Sequence, residues 1–144
     1  MPYTLKKFSE LTPFELYKLL KLRQDVFVLE QTCLYPDLDD KDQNAAHMLA
    51  FEGENLVGCL RILAPGVSYA EASIGRVVVA QNHRRQGIAQ HMMRRAFDHL
   101  GKQNVRISAQ SYALECYQSV GFRVVSDEYL EDGIPHREML REVE

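Results

Sequence analysis

Apolar positions along this 144-residue chain recur at two periods, and each change of period marks a boundary between helix and strand. Thr12-Pro13 reads as an N-cap followed by proline at the first helical position. Leu16, Leu19, Leu20, Arg23 and Phe27 then follow at helical spacing, which predicts a helix over about 13–29. Gln31 to Asn44 holds Pro36 with Asp37, Asp39, Asp40 and Asp42, and reads as an acidic loop on the surface. The apolar-rich runs His47–Phe51 and Leu56–Leu63 flank Gly53-Glu54-Asn55 and predict a hairpin. Ser73–Val79 is β-branched and strand-like, whereas Gly87–Leu100 carries Ala89, Met93, Ala96, Phe97 and Leu100 at helical spacing. Val105–Ala109 predicts a strand, Ala113–Val120 a short helix, and Arg123–Val125 and Arg137–Leu140 two strands around a turn region at Gly133 and Pro135. Helix and strand alternate without repeat, low-complexity tract or linker, so the expected class is mixed α/β (α+β), with residues 1–144 as one domain.

Composition narrows the partners. A net charge of −3 and a pI near 6.0 argue against a nucleic-acid surface, although Arg84-Arg85 could meet a small anion. No run approaches the ~20 apolar residues that a bilayer span requires, and the amino terminus has no long apolar core after its charges. The expectation is a cytoplasmic chain without a membrane partner. Cys33, Cys59 and Cys116 are far apart and form no CxxC pair, so neither a disulfide scaffold nor a zinc knuckle is expected. His83, His91 and His99 are spaced by eight, which turns a helix about 80° past one face, so no metal is expected there either.

The chemistry concentrates between the Ser73–Val79 strand and the following helix, in Asn82-His83-Arg84-Arg85-Gln86-Gly87-Ile88-Ala89. The first N–H groups of a helix lack intrahelical partners and sit at the positive end of the dipole, where phosphate binds, and small residues let it approach the backbone. An ordinary loop with a solvated basic turn has the same spacing. The spacing fits neither GxxxxGK[ST] nor GxGxxG, which sets aside nucleotide hydrolysis and dinucleotide binding.

Arg84-x-x-Gly87-x-Ala89 after a β-rich strand resembles the [Q/R]xxGx[G/A] signature of the GNAT N-acetyltransferase superfamily. Tyr117-x-x-x-Gly121-Phe122 is similar to a second segment of that superfamily, whose tyrosine lies near the thioester sulfur. Two flanking stretches, Arg23-x-x-Val26-Phe27-Val28-x-Glu30-Gln31-x-Cys33 and Tyr129 to His136, resemble the ElaA subgroup. The resemblance implies a sheet splayed between two strands with acetyl-coenzyme A, the co-substrate, in the opening. It also implies that the backbone of Val77, Val78 and Val79 pairs with the pantetheine. The amides of Arg85, Gln86, Gly87, Ile88, Ala89 and Gln90 would then hold the pyrophosphate beside Arg84. Many members carry asparagine soon after the next strand, where this chain has Gln110, and a carboxylate where it has Ser73.

Such a site must neutralise a lysine-like amine, at a cost of roughly 4.6 kcal/mol at pH 7. Strand periodicity places Glu71, Ser73 and Gly75 on one face with Val77, so Glu71 is the candidate base, directly or through water; a plain exposed carboxylate remains the other reading. Tyr117 is the candidate donor to the departing sulfur, or else a core tyrosine. Phe27, Glu30, His47, Arg76 and His136 are the candidates for binding the acceptor, a small-molecule or peptide amine. Arg76 and the two histidines could instead be structural partners of Glu131 or Asp132. The alternatives to direct acetyl transfer, by a monomer or homodimer, are an enzyme like the acyl-homoserine-lactone synthases and a non-catalytic module that binds coenzyme A.

Overall fold

The computed structural model describes residues 1–143. Its first sheet is antiparallel throughout, in the order β1 (Tyr3–Lys7), β2 (Ala46–Glu52), β3 (Asn55–Leu63), β4 (Ser73–Val79). In the second sheet β8 (Ile134–Arg141) pairs along one edge with β5 (Val105–Gln110). Its other edge is shared by β6 (Arg123–Val124) and β7 (Tyr129–Glu131). The fold is mixed α/β, as the alternation of periods implied.

Two layers of helix cover the first sheet. Helix α1 (Pro13–Arg23) starts in a capping box: Thr12 Oγ1 accepts from the Glu15 amide, and the Glu15 carboxylate accepts from the Thr12 amide at 2.9 Å. Leu19, Leu22 and Val26 then bury against Leu49, Cys59 and Val78. On the opposite face, α2 (Ile88–Leu100) sets Ile88, Met92, Met93 and Ala96 against Met48, Ala50, Leu60 and Ile74, the alternate residues of the same strands. The helix predicted over 13–29 occupies that span, but from Gln24 to Glu30 it widens into a π-helical segment, a form frequent at functional sites.

The two sheets meet at one parallel bridge, Ala72 with Val105, where the Arg106 amide donates to the Ala72 carbonyl at 2.9 Å. Beyond it β4 and β5 share no ladder, and the site lies between them. A bulge in β4 helps shape this opening: Cys59 pairs with Val78 and Arg61 with Gly75, so Leu60 faces both Arg76 and Val77. Arg76 takes a φ of +50° there, a conformation that costs a non-glycine residue about 1–2 kcal/mol.

Two expectations change. The Gln31–Asn44 segment is largely a loop, but of its four aspartates only Asp40 is exposed to solvent. Asp42 is buried and shared by Arg23 Nη1 at 2.8 Å and Arg61 Nη1 at 3.0 Å, Asp37 pairs with Arg23 and Arg76, and Asp39 with Arg61 and Arg76. Three arginines drawn into the molecule require carboxylates beside them, and the loop supplies them. The expected turn at Gly133 and Pro135 is tighter, with Asp132 and Gly133 at φ of +52° and +75° as the two-residue turn of a hairpin, so β8 begins at Ile134 and continues through Pro135.

Candidate functional site

Val77, Val78 and Val79 form one wall of an open cleft of about 500 Å³, whose floor and far side are His83, Arg84, Arg85, Gly87, Ile88, Ala89 and Gln90 from the loop and first turn of α2. Gly87 is the N-cap of α2 at a φ of +79°, and no side chain caps the helix, so its first amides face the cleft unpartnered. A Cβ on Gly87 would meet only the His91 ring, at 3.7 Å. An anion can therefore reach these amides, and the lining fits the phosphate end of coenzyme A. Arg84 is already engaged: Nη1 and Nη2 donate to Glu30 at 2.6 and 2.8 Å, and Nε to the Val79 carbonyl at 3.0 Å.

A second, smaller cavity of about 160 Å³ lies on the other side of Tyr117. Both cavities are lined by Val77, Tyr112, Ala113 and Tyr117, so they meet at the tyrosine on α3 (Leu114–Gln118). Burial raises the Tyr117 phenol well above its ordinary value, so it stays protonated and can donate a hydrogen bond at any neutral pH. Phe27 and Val28 of the π-helical segment, Gly75 and Arg76 of β4, and Ser108 and Gln110 of β5 line the second cavity. Glu131, Asp132 and His136 close its far end. Gln31 and Gln110 bridge the mouth of the splay through reciprocal amide bonds of 3.0 and 3.1 Å, and Gln31 Nε2 also donates to the Tyr112 hydroxyl at 3.1 Å.

The overall fold agrees with that of known proteins that the chain resembles. The model of the acetyltransferase (GNAT) domain matches residues 20–143. The chain belongs to the GNAT acetyltransferase family. Protein ElaA of Escherichia coli is 39% identical to this GNAT chain, over 94% of the chain and 92% of ElaA. The crystal structure of E. coli ElaA superposes with a TM-score of 0.90 at 36% identity, covering 98% of this chain and 99% of that one. An acyl-CoA N-acyltransferase from Pseudomonas aeruginosa superposes at 0.89 with 38% identity, covering 97% and 98%. A CoA-dependent acyl-homoserine lactone synthase reaches 0.67 at 19% identity over 87% and 74%, a likeness of fold alone.

Several candidate residues of this GNAT chain lie elsewhere than the sequence suggested. Glu71 lines neither cavity: it precedes the Ala72–Val105 bridge, where the two sheets are joined, whereas the cavities open beyond that bridge. Its carboxylate accepts from Arg106 Nε and Nη2 at 3.1 and 3.0 Å, and those bonds hold it below the usual carboxylate range. His47 is a fully buried residue of β2, donates Nε2–H to the Asp42 carbonyl at 2.9 Å and lines neither cavity; burial is the main cause of its lowered pKa. Glu30 is the partner of Arg84 and is absent from the smaller cavity. Arg76 lines that cavity, but Asp37 and Asp39 already hold its guanidinium. Gln110 faces the smaller cavity and not the cleft with Gly87, while Gln86 is exposed at the loop tip. Tyr112 and the Gln31–Gln110 bridge escaped the sequence reading, since their partners are about 80 residues apart and share no local pattern. Cys116 is half-buried and its thiol is pushed up by burial, which suits packing and not a nucleophile. Among the described residues no three or more His, Cys, Asp or Glu side chains are grouped to hold a metal ion, and no helix is long and apolar enough to cross a membrane.

Proposed function

We propose that this GNAT acyltransferase, as one domain over residues 1–144, moves an acetyl group from acetyl-coenzyme A directly to a primary amine. The observation that carries the reading is the meeting of two unequal cavities at Tyr117. The larger cleft, with the unpartnered amides of α2 at one end and the β4 backbone along its side, is suited to pyrophosphate and pantetheine. Val77, Val78 and Val79 would hold the pantetheine, and the backbone of Arg85, Gln86, Gly87, Ile88, Ala89 and Gln90 the phosphates, with Arg84 bracing that loop. The smaller cavity then receives the acceptor, between Phe27, Arg76, Gln110 and His136.

Charge supports an amine there. Arg76 is balanced by Asp37 and Asp39, whereas neither Glu131 nor Asp132 has an arginine or lysine partner among the described residues. A cationic acceptor is attracted to that end of the cavity. Attack on the thioester carbonyl forms the C–N bond and expels sulfur as thiolate. The Tyr117 hydroxyl, kept protonated by burial, stabilises the charge on the departing sulfur by a hydrogen bond. Its raised pKa makes it a hydrogen-bond donor in preference to a full proton donor.

Screening small amines, amino acids and peptides for release of coenzyme A from acetyl-coenzyme A tests the reading. Release that depends on an amine, with the acetylated product identified by mass, is the expected result. Thioester hydrolysis alone, or cofactor binding without turnover of any amine, would overturn it in favour of a binding module.

A further inference from the structure

The proposed transfer leaves one proton without a destination, because Glu71 lines neither cavity and is held by Arg106. At the far end of the acceptor cavity, His136 is a buried imidazole whose side chain is 8% exposed. Its backbone sits in the middle of the second sheet, opposite Gln110 on one side and Tyr129 on the other, so the ring has a fixed origin. The ring lies nearly parallel to Tyr129, with centroids 6.3 Å apart.

The two nitrogens are not equivalent. Nδ1 lies 2.6 Å from the Ile134 carbonyl oxygen, which can only accept, so Nδ1 carries a hydrogen. In the neutral ring Nε2 is then the free lone pair. Nε2 is 3.4 Å from Glu131 Oε2, too long for a strong bond yet close enough to stabilise an imidazolium. Glu131 is itself oriented, since Ser108 Oγ donates to its Oε1 at 3.3 Å, and the Tyr129 hydroxyl and Ser108 Oγ are 2.6 Å apart.

We propose that His136 is the catalytic base of the transfer, taking the acceptor's proton on Nε2, with Glu131 as a positioning residue. The inference rests on the acetyl-transfer reading above. The cationic amine gives one proton to Nε2, the neutral nitrogen bonds to the thioester carbon, and the C–S bond breaks with its electron pair on sulfur. The second nitrogen-bound proton leaves to water as the amide forms, and the imidazolium returns its proton to solvent through the cavity mouth. Tyr129 on β7 stacks on the ring, and the titratable groups that share its cavity are Glu131 on β7, Asp132 in the turn, Tyr117 on α3, Tyr112 before it, Asp37 and Arg76, and Cys33 and Tyr35 of the long loop. Glu138, two residues along β8, is paired with Arg106.

The experiment compares the intact protein with His136→Asn, whose amide nitrogen retains a donor for the Ile134 carbonyl while lacking Nε2. Two probe amines are used with acetyl-coenzyme A: 1,4-diaminobutane, cationic at pH 7, and methoxyamine, neutral at pH 7. For the diamine, His136→Asn should lower kcat about 10²–10³-fold with little change in KM, and the acidic limb of its pH profile should vanish. For methoxyamine the loss should stay under about tenfold, because no proton need leave before attack. Glu131→Gln should lower the rate about three- to tenfold and retain the limb, moved to lower pH. Thermal stabilisation by acetyl-coenzyme A, unchanged in both variants, shows that each is folded. A variant His136→Asn that keeps the rate and the limb would overturn the proposal alone. No turnover of either amine by the unaltered protein would overturn the transfer reading and this proposal with it.

Discussion

Arg84 and Glu30 meet through two hydrogen bonds of 2.6 and 2.8 Å, joining the loop before α2 to the end of the π-helical segment. The signature arginine thus braces the loop at the edge of the cleft that it lines, and its third bond, to the Val79 carbonyl, ties the same loop to β4. Because both side chains are about one-third exposed, the pair contributes little to global stability, on the order of 1 kcal/mol or less.

Glu30→Ala separates bracing from direct phosphate contact. If Arg84 acts by holding the loop, the substitution lowers acetyl-coenzyme A affinity about three- to tenfold in calorimetry, although it removes a negative charge. Tighter binding in the variant would mean that Arg84 is released to the phosphates and that Glu30 merely competes with them.

At Gly87 the conflict is between backbone and ligand. A side chain at a φ of +79° is strained by about 1–2 kcal/mol, but the nearest obstacle to its Cβ is the His91 ring at 3.7 Å. Gly87→Glu should therefore fold, with a modestly lower Tm, and lose acetyl-coenzyme A affinity by more than tenfold, because a carboxylate occupies the approach to the α2 amides. Unchanged affinity in the folded variant would place the phosphates elsewhere.

Tyr117→Phe retains the ring, which packs nearly perpendicular to Phe122, and removes a hydroxyl from the point where the two cavities meet. The expected loss is about 10–100-fold in kcat with a smaller change in KM, near the low end for proton-transfer assistance because thiolate leaves moderately well unaided. The loss should shrink with an acyl donor whose thiol is more acidic. A Phe variant equal to the parent with every donor would leave Tyr117 as a packing residue.

Acid should unfold the protein through the arginine–aspartate network. Burial works to raise Asp39 and Asp42, but bonds and charge from Arg61, and from Arg23 at Asp42, overcome it and hold both below the ordinary range. In the unfolded chain an aspartate titrates near ~3.9, so between that value and the lower folded ones the unfolded state binds more protons. The network's contribution is therefore complete above about pH 4 and is lost as pH falls through the folded values. Asp42→Ala, which strips Arg23 and Arg61 of a shared buried partner, should cost about 3–5 kcal/mol in urea unfolding at pH 7 and flatten the fall in stability on the acid side. An Asp42→Ala protein as stable as the parent would show that the guanidiniums find water or other carboxylates.

What the chain carried locally could be read from it directly. The N-cap and proline at Thr12-Pro13, the β-branched run of Ser73–Val79, the helical stripe of α2 and the glycine at its start depend on neighbours within a few residues, and each of those elements forms where it was expected. Strand β1 escaped because YTLKK is short and half polar and pairs only with β2, some 40 residues away. The site was decided by tertiary structure wherever partners came from distant segments. Glu71 falls on the closed side of the Ala72–Val105 bridge, where Arg106 takes its carboxylate, and the buried Arg23 and Arg61 with the half-buried Arg76 drew an acidic loop inward. The divergence of two sheets brought Tyr117, Gln31, Glu131 and His136 around one cavity. A sequence states which residues can take a period, a charge or a turn. Which carboxylate faces a cavity and which is consumed by a guanidinium depends on contacts that exist only once the sheets have packed.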